Sequence, residues 1–129
     1  MTEVYSEVYI KMNDNNAVYV KSKEFALRII NLYKYLCDEK KEYIISKQIM
    51  RSGTGIGANI SEALRGESKA DFYHKLNIAL KEAEETSYWL ELLLMGNYID
   101  KASYKSVNSD CDEIISLLVA ITKTQKQAL

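Results

Sequence analysis

The chain has 129 residues, enough for one domain. Its hydrophobic content of 47% and charged content of 27% are those of a globular protein, which excludes a wholly disordered chain. A net charge of −1 argues against a dedicated nucleic-acid binder, and no apolar run is long enough to span a bilayer.

Residues 1–20 differ in pattern from the rest and are predicted as an N-terminal arm or a short hairpin. β-prone residues at 4–10 and 17–20 flank an Asn/Asp run at 13–16, which is typical of a hairpin turn. A loosely ordered arm explains the same residues, so both interpretations stay open. The acidic start is unlike a secretory signal, and we therefore expect a cytoplasmic protein without membrane partners.

Two helices are predicted first, each with apolar residues three and four positions apart. The first follows Ser22 and ends before a charged connector at 38–42. The second begins within 43–47, and Gly66 can supply a left-handed cap at its end. The apolar residues of these two helices are Phe25, Ile29, Leu32 and Leu36, then Ile49, Ile56, Ile60 and Leu64.

Two further helices have clearer boundaries. Ser68 begins the third with a sequence that resembles a capping box, and Gly96 and Asn97 end it. Asp100 can cap the fourth. Their apolar residues are Phe72, Leu76, Ala79, Ala83, Leu90 and Leu94, then Val107, Cys111, Ile114, Leu118 and Ile121.

Four amphipathic helices with short connections predict the fold class. The chain contains no proline, so no helix is forced to break. Short connections favour antiparallel neighbours, and we therefore predict an all-α, up-down-up-down four-helix bundle over 21–129.

A run of small residues at 52–58 resembles a phosphate-binding loop only superficially. Its spacing is G-x-G-x-G and its flanks are helical, whereas the dinucleotide fingerprint needs G-x-G-x-x-G after a strand. Three glycines inside a helix are costly, which indicates close packing within the bundle or between subunits. The residues that reduce side-chain bulk are Ser52, Gly53, Gly55, Gly57 and Ala58.

No group of residues predicts catalysis, a metal or a cofactor. A di-iron bundle needs two Glu-x-x-His motifs, and His74 is the single histidine. We expect His74 at the surface, and Cys37 and Cys111 as buried, reduced side chains rather than nucleophiles.

Two polar residues of the second helix are predicted beside the third. Folding the connection at 66–68 brings Arg51 near Glu82, Glu84 or Glu85, and Asn59 near Lys75. The Arg51 pair is either an ordinary exposed ion pair or a partly buried one that fixes helix register, and Asn59 could have the same register role.

One end of the predicted bundle collects eight basic residues against four acidic ones. A localised excess of positive charge can hold a phosphate backbone in a nearly neutral protein, although a solvated helix end explains it too. The candidate nucleic-acid-binding residues are Lys21, Lys23, Arg28, Arg65, Lys69, Lys75, Lys123 and Lys126. The acidic residues at this end are Glu24, Glu62, Glu67 and Asp71.

Aromatic residues exceed what one core stripe can hold. The ten tyrosines include Tyr33 and Tyr35, which point to different faces of one helix, and Tyr88 precedes Trp89 on another. A second apolar face favours self-association, with a larger core as the alternative.

Several spaced motifs together resemble the four-helix bundle proteins encoded in intervening sequences of bacterial 23S rRNA genes. The resemblance covers about 17–129. The matching segments are 21–22, 25–29, 46–63, 68–72, 75–83 and 85–90. The residues that match the family signature are Arg51, Ser52, Asn59, Glu62, Arg65, Glu82, Glu85 and Trp89.

The resemblance implies a bundle that assembles as a homo-oligomer, a ring-shaped pentamer in relatives, with no catalytic role to carry over. A related group, the accessory variability determinants of diversity-generating retroelements, binds nucleic acid and a reverse transcriptase through a basic surface. This chain is slightly acidic instead. RNA or DNA, contacted through the basic end, is the first predicted partner. A protein-protein adaptor without nucleic acid, including one for a reverse transcriptase-type protein, is the alternative.

Overall fold

The computed structural model describes residues 17–128, with side chains as far as 125. These residues form helices α1 (Ala17–Asp38), α2 (Ile45–Leu64), α3 (Lys69–Met95) and α4 (Lys101–Ala128). The described part of the chain contains no strand. The predicted all-α four-helix fold is confirmed.

The first helix begins earlier than predicted. Residues 17–20, which the hairpin alternative placed in a strand, form the first turn of α1. Val18 is buried, and it lies seven residues before Phe25 and eleven before Ile29 on the same helix face, so packing outweighs its β-propensity. The rest of the predicted arm or hairpin, 1–16, lies outside the described residues.

Contacts between helices show that neighbouring helices run antiparallel. As the residue number rises along one helix, the number of the contacting residue falls along the next. Each neighbouring pair of helices, including α1 and α4, is joined in this way. Two contacts for each pair show this order: Ile29 with Gly53 and Ser22 with Gly57, Ser52 with Thr86 and Glu62 with Lys75, Ala83 with Cys111 and Ser87 with Asn108, and Arg28 with Asp110 and Lys21 with Glu113.

The core follows the predicted stripes with few exceptions. Most of the predicted apolar residues are buried, and Leu32, Leu64, Leu94 and Ile121 are partly buried against them. Sequence patterns did not identify Tyr73, which is fully buried beside Phe72 with their rings edge to face at 5.1 Å. The core is therefore continuous along all four helices.

The predicted helix ends are mostly confirmed. Ser68 Oγ accepts from the Asp71 amide at 3.1 Å, and Asp100 Oδ1 accepts from the Ser103 amide at 2.7 Å. The left-handed cap predicted at Gly66 is wrong, because no glycine has a positive φ in the described chain. A Cβ at Gly66 would lie 3.0 Å from Asp71 Oδ2 and 3.1 Å from the Ala63 carbonyl oxygen, so close packing explains this glycine.

The connector before α2 contains a cap that the sequence analysis missed. Lys41 has a φ of 52°, and the turn places Glu42 just ahead of the helix with only 8% of its surface exposed. Glu42 carboxylate oxygens accept from the amides of Ser46 at 2.7 Å, Ile45 at 3.0 Å and Ile44 at 3.1 Å. Three amides at the start of α2 are thus satisfied by one side chain.

Candidate nucleic-acid interface

The basic end of the bundle, where α1 and α3 begin and α2 and α4 finish, is less positive than its sequence indicates. Lys21 pairs with Glu113 of α4, which raises the pKa of Lys21 through a hydrogen bond and charge attraction. Lys75 Nζ lies 3.3 Å from Glu62 Oε1. These two candidate phosphate contacts are therefore already occupied by carboxylates.

Arg28 lies away from the basic end, along the α1–α4 contact. Its Nη1 is 2.6 Å from Asp110 Oδ2 and 3.2 Å from the Ser106 carbonyl oxygen, and its Nη2 is 2.9 Å from Ser106 Oγ. The position follows from helical rise, because Arg28 is eleven residues, or about 16 Å, beyond Ala17. Arg28 therefore joins α1 to α4 and does not belong to the basic end.

Four basic residues at this end have no carboxylate within ion-pair distance among residues 17–125. Lys23, Arg65 and Lys123 are exposed, and Lys69 is half-buried. The Lys23 ammonium lies 5.1 Å from the centre of the Tyr19 ring, which leaves its charge available at the surface. We call Lys23, Arg65, Lys69 and Lys123 the unpaired basic residues. The side chain of Lys126 lies outside the described residues.

Acidic residues limit the positive field at the same end. Glu24 and Glu67 are exposed and Asp71 is half-buried, and Glu113 joins them although the sequence analysis did not count it. The excess of four positive charges that the sequence predicted is therefore not spread over the whole end of the bundle. The positive charge is concentrated at the unpaired basic residues.

A polar cluster lies on the outer side of the α2–α3 contact. Arg51 pairs with Glu85 and also with Glu82, at 3.3 Å from Nη1 to Oε2. Trp89 Nε1 donates to Glu85 Oε2 at 3.0 Å. A Cβ at Gly55 would lie 2.9 Å from Glu82 Oε2, so this glycine leaves room for the Glu82 carboxylate.

The Arg51 side chain is 54% exposed, whereas those of Glu82 and Glu85 are 19% and 35% exposed, so the ion pair is open to water on the arginine side. Exposed pairs contribute about 0–1 kcal/mol, since water screens them. We expect Arg51→Gln to lower the free energy of unfolding by less than about 1 kcal/mol, with a smaller loss in high salt. Urea denaturation of both proteins at two salt concentrations measures this, and a loss above about 2 kcal/mol would contradict the exposed-pair interpretation.

Ser52 and Asn59, two further polar residues of the family signature, form different kinds of hydrogen bond. The bond of Ser52 joins two helices, and that of Asn59 stays within one helix. Thr86 Oγ1 lies 2.8 Å from Ser52 Oγ and 2.8 Å from the Glu82 carbonyl oxygen, which joins α3 to α2 in the buried interior. Asn59 donates to the Gly55 carbonyl oxygen of its own helix at 2.8 Å. That bond does not link two helices, so it gives no support to a register role for Asn59.

The small residues of α2 serve packing inside the bundle. A Cβ at Gly53 would lie 2.7 Å from Ile29 Cγ1, and one at Gly57 would lie 3.0 Å from Ser22 Oγ. α1 therefore packs directly on this face of α2. Ala58, predicted with this group, is exposed and takes no part in the close packing.

His74 and Cys111 lie where the sequence predicted them, whereas Cys37, which was predicted as buried, is only half-buried. His74 is exposed, as predicted, and no group of three His, Cys, Asp or Glu side chains that could hold a metal occurs in the described chain. Cys111 is buried, and burial, with the nearby Asp112 charge, raises the pKa of its thiol to about 12. A thiol that stays protonated is a poor nucleophile.

Several large apolar side chains are exposed at the surface. Leu27 is 62% exposed on α1, Ile44 is 78% exposed before α2, and Met95 is 72% exposed at the end of α3. Tyr88 is exposed and packs edge to face on Trp89. Of these four residues, only Tyr88 was predicted from the sequence to form part of an additional apolar face. None of the four helices is both long and apolar enough to cross a membrane, as far as the described residues extend.

Comparison with known proteins finds a matching family and a similar solved structure. The 23S rRNA-intervening sequence protein family matches residues 14–120. The chain is also similar to a protein of unknown function from the S23 ribosomal protein family of Bacteroides thetaiotaomicron, known from a crystal structure, with 60% identity. That similarity covers 84% of this chain and 96% of the other, with a TM-score of 0.83. A search of curated proteins finds no match.

Proposed function

Because the chain belongs to the 23S rRNA-intervening sequence protein family, we propose that it is a non-catalytic, self-assembling module that holds the phosphate backbone of RNA or DNA. The observation that carries this proposal is the group of unpaired basic residues at one end of the bundle. Lysine and arginine side chains without carboxylate partners are the ones that a phosphate can recruit without first breaking an ion pair. Recognition would depend on backbone and shape, since no base-reading motif occurs in the sequence.

Self-assembly strengthens this proposal because one subunit presents few unpaired charges. A ring of identical subunits, such as a pentamer, would repeat the basic end around an axis. Repeated weak contacts to one polymer raise the overall affinity through effective concentration. The exposed Leu27, Ile44, Tyr88 and Met95 side chains provide apolar surface that assembly would bury.

Charge reversal at the α2–α3 connection tests the nucleic-acid interface. We expect Arg65→Glu with Lys69→Glu to weaken binding to structured RNA or duplex DNA at least about tenfold, since two phosphate contacts become repulsive. Both positions border helix ends, so the bundle should stay folded. Fluorescence anisotropy at fixed low salt gives the affinity.

The matched control reverses two lysines at the opposite end. Lys101→Glu with Lys105→Glu changes the net charge equally, and both residues are exposed near the start of α4. We expect this variant to retain most of the affinity. Equal losses in the two double variants would show that only net charge matters and would overturn the basic end as the interface.

The second candidate function is a protein-protein adaptor, for a reverse transcriptase-type protein or another partner, without nucleic acid. The exposed apolar side chains favour it, because large apolar residues at a surface often mark protein contacts. A complex that persists after nuclease treatment and at high salt would support the adaptor and argue against phosphate contacts.

A further inference from the structure

α1 carries large apolar side chains on the side that points away from the core of the bundle. Leu27 is 62% exposed and Val20 is 48% exposed. Leu27 lies two residues from both Phe25 and Ile29, which are buried, so a helix rotation of about 200° turns it away from the core. Val20 lies seven residues before Leu27 and therefore shares its direction. We call this side the outer face of α1.

α3 has a similar outward side near its end. Tyr88 is 53% exposed, and it lies midway between Thr86 and Leu90, which are buried. Met95 is 72% exposed and lies seven residues after Tyr88, so it shares the same direction. The exposed Ile44 adds apolar surface beside them, since α2 begins next to the end of α3. We call this side the outer face of α3.

One copy of the chain cannot cover either outer face with the other. α1 and α3 each pack against α2 and α4, which places them at opposite corners of the bundle. Their outer faces therefore point in opposite directions. Single apolar residues are ordinary at a surface, whereas apolar residues seven positions apart with charges beside them are typical of a helix that packs on another helix.

The exposed charges on the two outer faces have opposite balances. Two lysines outnumber one glutamate on α1, and two glutamates outnumber one lysine on α3. A contact between unlike faces is therefore attractive, whereas α1 against α1 or α3 against α3 brings like charge together. These charged residues are Lys23, Lys34 and Glu24 on α1, and Glu84, Glu91 and Lys81 on α3.

We propose that the outer face of α1 packs on the outer face of α3 of a second copy of this chain, with each copy using both faces. The proposal rests on the self-assembly in the proposed function and names the two surfaces that meet. Because these surfaces differ, the contact is head-to-tail and extends to further copies. Lys23 lies where the outer face of α1 meets the basic end, so an assembly keeps Arg65, Lys69 and Lys123 for phosphate.

Mixing two variants of the full chain tests the pairing of unlike faces. Leu27→Asp disrupts the outer face of α1, and Met95→Asp disrupts that of α3. We expect each variant alone to have the mass of one chain, because every contact needs both faces. An equimolar mixture should have twice that mass, since the intact α1 face of Met95→Asp fits the intact α3 face of Leu27→Asp and no further matching faces remain. Sedimentation velocity gives the masses.

The control is Ala120→Asp, which adds the same charge at an exposed position of α4 and should keep the wild-type mass. Circular dichroism checks that every variant keeps its helix content. A mixture that stays at the mass of one chain, or a single variant that assembles like the wild type, would overturn the pairing and leave self-assembly itself intact. A wild-type protein that stays at the mass of one chain at every concentration would overturn both.

Discussion

Glu42→Gln is expected to lower the free energy of unfolding by about 1.5–3 kcal/mol at pH 7, the range for hydrogen bonds to a charged group. The carboxylate accepts from three amides at the start of α2, and its negative charge favours the positive end of the helix dipole. A neutral glutamine keeps the shape but weakens these bonds. Urea denaturation at one protein concentration measures the loss, with Glu39→Gln as the control because Glu39 is exposed in the same connector.

The same residue predicts a pH dependence. Burial raises the pKa of Glu42, but hydrogen bonds from the amides of Ser46, Ile45 and Ile44 outweigh it, so the pKa lies below its usual range. The stabilisation is therefore complete above the unfolded pKa of about 4.3 and is lost as pH falls through the lower folded pKa. We expect the difference between wild type and Glu42→Gln to be constant from pH 7 to 5.5 and to shrink below about pH 4. A difference that stays constant down to pH 3 would contradict this.

Gly53→Ala is expected to destabilise the bundle by up to about 2 kcal/mol, because overpacking costs about 1–3 kcal/mol and the higher helix propensity of alanine recovers about 1 kcal/mol. The new Cβ would lie 2.7 Å and 2.8 Å from the two γ carbons of Ile29, which is fully buried. A β-branched side chain at a packed contact has little freedom to move aside.

Gly55→Ala is the matched control on the same helix. Its Cβ would meet Glu82 Oε2 at 2.9 Å, but this is the far end of a flexible side chain that can shift toward water. We expect a change between neutral and about 1 kcal/mol more stable, from helix propensity alone. Denaturation of both variants measures the contrast. If both substitutions stabilised the protein equally, α1 would not pack as closely on α2 as described.

The sequence predicted the fold well because helical periodicity is a local property. Apolar spacing, the caps at Ser68 and Asp100 and the end of α3 were all visible within a few residues of one another. The start of α1 was missed because Val18 and Tyr19 favour strands, and only packing on the completed bundle decides otherwise. The Glu42 cap was missed because it depends on a turn through Lys41 with positive φ, which sequence patterns seldom indicate.

The candidate site was harder to predict because charge pairing depends on which helices become neighbours. Arg51 with Glu85 was found from the α2–α3 connection, which is short and fixes the register. Lys21 with Glu113 and Arg28 with Asp110 join residues more than 80 positions apart, across a contact that no connection fixes. Four unpaired basic residues at this end could therefore be identified only from the folded bundle.

The most direct test of the proposed function is the affinity of the unmodified protein for structured RNA and duplex DNA across a salt series. Phosphate contacts release counterions, so we predict that the logarithm of the binding constant falls linearly with the logarithm of salt concentration. The slope then counts the contacts, and a slope of about −4 on DNA would match the unpaired basic residues of a single subunit, with steeper slopes for an assembly. No binding at low salt, or an affinity independent of salt, would contradict phosphate recognition and favour the protein-protein adaptor.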